Sequence, residues 1–235
     1  MDDKKLSLVE HLTELRSRLL ISLIFYSLSF LMALFCSDKI YAFLTWSVKE
    51  RLVVLGPNDI LSLYLSISSY TALSLSLPFI VYQIWAFVRP GLTKKEAASI
   101  LYYLPASFFC FLMGLAFAFY LLVPNLLKVL MDLGQGQFLI RLTASNYLDF
   151  MFKLAFPTAF LFEMPVIVAF FTKIGLLDPK FLVKYRRYIY FLLLFMAVVL
   201  TPADFVSDLA LTVPLIALFE FSLLISWKIY RKKGH

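Results

Sequence analysis

Long apolar runs alternate along the chain with short segments that carry nearly all of its charged residues. Because a helix needs about 20 apolar residues to cross the hydrocarbon of a bilayer, each run predicts a membrane-spanning helix. The runs cover residues 19–37, 66–88, 98–124, 153–172, 188–201 and 205–227. The last two predict short helices, and the tight turn between them predicts an antiparallel hairpin. The pattern therefore predicts an all-α polytopic membrane protein with six transmembrane helices in a single integral domain, residues 1–235.

Composition agrees with lipid as the surrounding solvent. Of the 235 residues, 62% are hydrophobic and 16% are charged, whereas soluble domains carry roughly 45–50% apolar and about 25% charged residues. Residues 38–52, between the first two runs, alternate apolar and charged positions as a helix lying on the membrane surface does. The chain is therefore expected to interact with the lipid bilayer both through its spans and through its connecting segments.

The distribution of lysine and arginine predicts the orientation. If the six runs span the membrane, 16 of the 22 basic residues fall on one side and 6 on the other. Cytoplasmic loops carry the excess of positive charge, so both termini are predicted to be cytoplasmic. The net charge of +7 is then mainly a topology signal with an affinity for anionic lipid. Because the basic residues are spread over four separate loops, no nucleic-acid partner is predicted.

Residues with catalytic or metal-binding chemistry are scarce. The chain has two histidines, His11 and His235, and both lie outside the apolar runs. This excludes a serine–histidine intramembrane protease and a histidine–cysteine metal cluster. There is also no phosphate-binding loop and no glycine-rich dinucleotide motif. The sequence therefore predicts a protein that is not an enzyme and uses no cofactor, metal or ATP.

One carboxylate, Glu163, interrupts the fourth run. Nine uncharged residues flank it on each side, which is about 14 Å of helix each way and places it near the bilayer midplane. Pro165 cannot donate a backbone hydrogen bond, so the helix should kink there and leave a polar notch. Two interpretations remain open: a protonated glutamate that bridges to a neighbouring helix, or a notch that faces a water-accessible cavity.

A proton-coupled secondary transporter that uses Glu163 is the alternative function, since two halves of three spans each would be oppositely oriented.

The carboxylates near the predicted cytoplasmic surface have simpler explanations. Glu10 and Glu96 each lie three residues after a serine or threonine, the spacing of a helix capping box. Glu14 and Arg18 are four residues apart, so an ion pair on the helix surface is expected, worth a few tenths of a kcal/mol. Glu220 lies in the inner half of the last span, within expected reach of cytoplasmic lysines or of Gln83.

On the predicted outer side, Asp204 and Asp208 follow Pro202 near the start of the last helix. Acidic residues there interact favourably with the helix macrodipole.

Several sequence blocks together carry a resemblance to a known family. They are EHLTELRSRLL at residues 10–20, PFIVYQIWAFVRPGLTKKE at 78–96, FLMGLAFAFYLLVP at 111–124, FLFEMP at 160–165 and RRYIYFLLLFMAVVLTPADFVSDLALTVPLIALFE at 186–220. The chain resembles the TatC family, the multispanning receptor subunits of the twin-arginine protein translocase, over essentially its whole length. The resemblance implies a concave, glove-like bundle in the cytoplasmic (inner) membrane of a prokaryote, with both termini inside.

The resemblance also implies a site for the consecutive arginines of twin-arginine signal peptides on folded cargo. The matching carboxylates are Glu14 and Glu96, and two fixed carboxylates can discriminate Arg-Arg from Lys-Lys because guanidinium binds them through two hydrogen bonds. Further residues implied to shape the site are Leu12, Arg16, Phe87, Pro90 and Gly91.

Partner binding is the other property that the resemblance implies. Glu163, with Pro165 and Gln83, is assigned to an intramembrane polar site for single-span partners of the TatA/TatB type or for a deeply inserted signal peptide. Pro202, Asp204 and Glu220 match further family positions, and the last two helices match the family's partner-docking edge. Self-association and transport driven by the proton-motive force are expected as well.

Overall fold

The computed structural model describes residues 8–46, 52–88, 94–134, 142–201 and 205–232. The elements in these ranges are helical. They are α1 (Leu8–Phe35), α2 (Ser37–Leu44), α3 (Pro57–Val88), α4 (Lys94–Phe117), a π-helical turn (Ala118–Leu122), α5 (Val123–Gly134), α6 (Ala144–Leu161), α7 (Met164–Ile174), α8 (Pro179–Lys184), α9 (Arg186–Leu200) and α10 (Phe205–Lys232). The prediction of an all-α protein is confirmed.

All six predicted runs are mostly helical, but the lengths differ from the prediction at the end of the chain. Five helical segments are long and apolar enough to cross a membrane: Glu10–Phe35, Pro57–Val88, Tyr103–Asp132, Ala144–Ile174 and Asp208–Lys232. The fifth predicted span coincides with α9, whose 15 residues extend for about 22 Å and fall short of a hydrocarbon layer of about 30 Å. The six-span count therefore stays a prediction.

The prediction that the sixth helix is also short is wrong. The helix α10 contains 28 residues: the apolar run 205–227 is already long enough to cross a bilayer, and the helix continues past it into its basic end, Lys228 to Lys232. An apolar run marks the part of a helix that lies in hydrocarbon, and backbone hydrogen bonding continues into the more polar region beyond it. The orientation of the termini and the glove-like shape stay predictions.

The chain divides into two compact units, Met1–Leu104 and Pro105–His235. The prediction of one integral domain is not tested by this division. Each unit is described separately below.

The first unit is built on α1 packed along α3. Small side chains are buried in both helices: Ser22, Ser29 and Ala33 in α1, and Ser68, Ala72 and Ser76 in α3. Small residues let helix backbones approach closely, which favours van der Waals packing between helices in lipid. Aromatic stacking adds to this contact, since the rings of Phe25 and Phe79 have centroids 4.3 Å apart.

The second unit is built around α6, α7 and α10. The helix α10 packs against α7 and α9, and a buried hydrogen bond of 2.7 Å joins the hydroxyls of Thr172 in α7 and Ser226 in α10. A left-handed glycine, Gly175 with a φ of 85°, ends α7. Asp178 then caps α8 by accepting a hydrogen bond of 2.8 Å from the amide of Lys180.

A close backbone approach in the second unit occurs at Gly114 of α4. A Cβ placed on Gly114 would lie 2.6 Å from the Cα of Ala159 and 2.8 Å from the Cβ of Phe162. Those atoms belong to the end of α6 and the turn after it, so the absence of a side chain at Gly114 permits this crossing.

We expect Gly114→Ala to destabilise the protein by about 1–3 kcal/mol, because backbone atoms must move to admit the methyl group. Thermal unfolding in detergent measures this effect. Gly56→Ala is the matched control, since a Cβ at Gly56 meets nothing within 4 Å. Equal melting temperatures for the two variants would contradict the close approach.

Candidate functional site

A cluster of polar side chains joins the start of α1 to the end of α3. The Nε of Arg18 donates a hydrogen bond of 3.0 Å to Oε1 of Glu14, and Nη1 of the same guanidinium donates one of 3.2 Å to Oε1 of Gln83. The predicted ion pair between Glu14 and Arg18 is therefore confirmed, with Gln83 as an additional partner. Each side chain of the ion pair is 24% exposed, so the carboxylate is held in place and still accessible.

An aromatic contact extends this cluster by one helical turn. The rings of His11 and Phe87 stack with centroids 4.2 Å apart and an interplanar angle of 21°. His11 precedes Glu14 by one turn of α1, and Phe87 follows Gln83 by one turn of α3. We call this group the α1–α3 cluster: His11, Glu14, Arg18, Gln83 and Phe87. It brings a carboxylate, a guanidinium, the buried amide of Gln83 and aromatic rings together where α1 and α3 meet in the first unit.

The other residues implied for the signal-peptide site are not part of the α1–α3 cluster, apart from Phe87. Leu12 and Arg16 are both exposed, and each lies two residues from Glu14, which is about 200° around the helix. They therefore project from the side of α1 opposite to Glu14. Pro90 and Gly91 lie outside the described residues. Glu96 is the third residue of α4, and its side chain lies outside the described part, as do Ser7 and Thr93 of the two predicted capping boxes.

The second unit contains the predicted helix break at Pro165. The helix α6 ends at Leu161 and α7 begins at Met164, so Phe162 and Glu163 form a turn between them. The amide of Glu163 donates to the carbonyl of Phe160 at 3.1 Å, a tighter pattern than an α-helix has. Because Pro165 has no amide hydrogen, the ordinary helical bond to the carbonyl of Leu161 is missing. The helix is therefore interrupted at the place where the sequence predicts a kink.

Glu163 is buried, with 4% of its surface exposed. The hydroxyl of Ser107, in α4, donates a hydrogen bond of 2.7 Å to Oε2 of Glu163. Both residues belong to the second unit, so this contact ties α4 to the turn between α6 and α7. The carboxyl group therefore has the interhelical contact expected of a bridging residue, and a water-accessible cavity at Glu163 stays a prediction.

Glu220 has partners that differ from those expected. The Nε of Arg186 donates a hydrogen bond of 2.7 Å to Oε1 of Glu220, and the hydroxyl of Tyr190 donates to the same oxygen. Gln83, one of the expected partners, is bonded to Arg18 instead. The pairing with Arg186 was available from the sequence, because Arg186 and Glu220 lie 17 residues on either side of position 203, the centre of the turn that the sequence predicts.

The other end of this hairpin also has a side-chain contact. Thr201 donates a hydrogen bond of 2.5 Å to Oδ1 of Asp208, in the first turn of α10. Asp208 thus contacts the end of α9 in addition to its favourable place at a helix start. Pro202 and Asp204 lie outside the described residues.

Comparison with known proteins identifies the family. Residues 10–214 match the family model described as Sec-independent protein translocase protein (TatC). The chain is 40% identical over 233 residues to TatCd of Bacillus subtilis, covering 99% of this chain and 96% of that protein. It is 37% identical to TatCy of the same organism, over 99% of this chain and 93% of that protein. It is 34% identical to TatC of Helicobacter pylori strain J99, over 92% of this chain and 87% of that protein.

A solved structure shows the same fold. The crystal structure of a twin arginine translocase receptor, TatC, aligns with a TM-score of 0.80 and 29% sequence identity. The alignment covers 94% of this chain and 99% of that one. Sequence and fold lead to the same conclusion: this chain belongs to the TatC family of Sec-independent protein translocase proteins, membrane-embedded components of the bacterial Tat system.

Proposed function

We propose that this protein is the receptor of a twin-arginine translocase and binds the signal peptides of folded cargo at the cytoplasmic face of the inner membrane. The observation that carries the proposal is Glu14, a carboxylate held in one orientation by Arg18 and left partly exposed. The likeness to a crystal structure of a twin arginine translocase receptor supports the same assignment. A proton-coupled solute transporter is not favoured, because the chain belongs to a protein translocase family.

The chemistry of the α1–α3 cluster suits a peptide arginine. A guanidinium presents a planar fork of N–H donors that one carboxylate binds through two hydrogen bonds, whereas an ammonium is a point charge. Phe87 provides an aromatic ring on the same surface, and guanidinium groups stack favourably on such rings. A site of this composition binds arginine better than lysine.

We assign the second peptide arginine to Glu96, in the first turn of α4. Two carboxylates bind two consecutive arginines more tightly than one does, because the second contact forms within a complex that is already assembled. Leu12 and Arg16 project from the other side of α1, so we assign them to contacts with the peptide outside its arginine pair. Pro90 and Gly91 belong to the same proposed site.

For Glu163 we propose a second role, as the contact for a polar residue of a single-span partner of the TatA/TatB type. A carboxyl group accepts more than the single hydrogen bond that Ser107 donates, so capacity remains for a partner. Glu220 and the hairpin of α9 and α10 form the proposed edge for partner docking. Transport by the assembled complex is proposed to be driven by the proton-motive force.

Site-specific photocrosslinking tests the receptor function. A photoreactive residue at position 97, next to Glu96, is expected to crosslink to a signal peptide with an Arg-Arg pair. The matched control is the same peptide with a Lys-Lys pair, which should crosslink weakly. Equal crosslinking of the two peptides would contradict recognition of the arginines.

A further inference from the structure

The carboxylate assigned to the peptide already holds an arginine of the chain itself. Arg18 reaches Oε1 of Glu14 with both Nε, at 3.0 Å, and Nη2, at 2.5 Å. This is the kind of charge-assisted contact that a peptide guanidinium would make with the same group. Arg18 and an incoming arginine therefore compete for one carboxylate.

We propose that Arg18 is an internal competitor for the Glu14 carboxylate and sets the affinity of the receptor. In the free protein Arg18 occupies Glu14, and a signal peptide binds by displacing it. This inference rests on the proposed function, since it assumes that Glu14 receives a peptide arginine.

The arrangement of the hydrogen bonds makes such an exchange feasible. Both donors of Arg18 go to Oε1 of Glu14, and in the described part of the chain Oε2 has no hydrogen bond. An incoming guanidinium can therefore bond to Oε2 before Arg18 leaves. The displaced side chain does not lose every partner, because its Nη1 is bonded to Gln83. Both members of the ion pair are 24% exposed, so the exchange exposes no deeply buried charge.

Competition has a defined thermodynamic consequence. Arg18 reduces the fraction of protein in which the Glu14 carboxylate is free. The apparent dissociation constant of any ligand of Glu14 rises by the same factor. This factor is the same for Arg-Arg and Lys-Lys peptides. Arg18 therefore leaves the preference for arginine unchanged and lowers the affinity for both peptides by the same factor.

Arg18→Gln is the variant that tests the proposal, in purified full-length protein titrated with fluorescent Arg-Arg and Lys-Lys peptides. We expect both peptides to bind about 1.5-fold to fivefold more tightly, the range that corresponds to a partly exposed ion pair. Arg18→Lys should give a smaller gain, because an ammonium competes less well for the carboxylate. Because Arg18→Lys retains the positive charge, it also serves as the test variant if Arg18→Gln does not fold.

Removal of a positive charge could by itself favour a cationic peptide, and two controls separate this effect from competition. Arg187→Gln removes the same charge from a side chain that contacts Tyr188 and should leave both affinities unchanged. In a Glu14→Gln background, Arg18→Gln should give no gain, because the contested carboxylate is gone.

An equal gain with and without Glu14 would overturn the proposal, as would weaker or unchanged binding by Arg18→Gln in the otherwise unaltered protein. Failure of the receptor function has a different signature. If Glu14→Gln alone leaves Arg-Arg peptide binding unchanged, Glu14 is not the peptide site, whatever Arg18 does.

Discussion

Glu14→Lys is expected to reduce the affinity for an Arg-Arg signal peptide by about a hundredfold or more, since like charges placed together at an interface cost several kcal/mol. The substitution removes the carboxylate that we assign to the peptide and brings a second cation next to Arg18. Titration of purified protein with a fluorescent signal peptide measures the loss.

The matched control is Glu10→Lys, which makes the same change in net charge one helical turn earlier on α1. Glu10 is exposed, and we assign it no contact with the peptide. Its variant should lose far less affinity than Glu14→Lys, because an exposed charge in water that does not contact the peptide interacts with it by only about 1 kcal/mol. A similar loss in both variants would mean that general electrostatics, and not the Glu14 carboxylate, controls binding.

The second large effect is expected at Glu163. We expect Glu163→Ala to reduce transport of a folded cargo protein by about fivefold to thirtyfold, because a polar contact between helices in lipid contributes about 1–2 kcal/mol. Signal-peptide affinity should not change, since the peptide's arginines are assigned to Glu14 and Glu96. Export assays in cells and peptide titration of the purified variant provide the two measurements.

Two further variants distinguish partner binding from a purely structural role of Glu163. Ser107→Ala removes the hydroxyl that bonds to the carboxyl group at 2.7 Å. If Glu163 only ties α4 to the turn before α7, Ser107→Ala should impair transport as much as Glu163→Ala does. If Glu163 contacts a partner, Ser107→Ala should retain most of the transport. Normal transport by Glu163→Gln would show that a neutral hydrogen-bonding group suffices.

The sequence predicts the helices well because lipid imposes a simple requirement on the chain. Every backbone N–H and C=O group in hydrocarbon needs a hydrogen-bond partner, which a helix provides, so each long apolar run is mostly helical. The fourth run is interrupted next to Pro165, as expected. The ends of the helices were less predictable. Helix α1 begins at Leu8, 11 residues before the first apolar run, because helical hydrogen bonding extends beyond the part of a helix that lies in hydrocarbon.

The candidate site was predicted only where its contacts are local in sequence. The pair of Glu14 and Arg18 follows from a spacing of four residues on one helix. The bonds from Arg18 to Gln83 and from Ser107 to Glu163 join residues 65 and 56 positions apart, and they depend on which helices pack together. Apolar runs of similar composition carry no such information. The close approach at Gly114 was unpredictable for the same reason.

The central claim is that Glu14 recognises the guanidinium group of a signal peptide, and the ratio of two dissociation constants tests it most directly. The constants for Arg-Arg and Lys-Lys versions of one signal peptide are measured on the unaltered protein and on Glu14→Gln, which keeps the shape of the side chain and removes its charge. We expect the unaltered protein to prefer the Arg-Arg peptide by about tenfold or more, because a charge-assisted hydrogen bond contributes about 1.5–3 kcal/mol. The part of this preference that Glu14 contributes should disappear in Glu14→Gln, leaving the smaller preference contributed by Glu96. An equal preference in both proteins would contradict the claim.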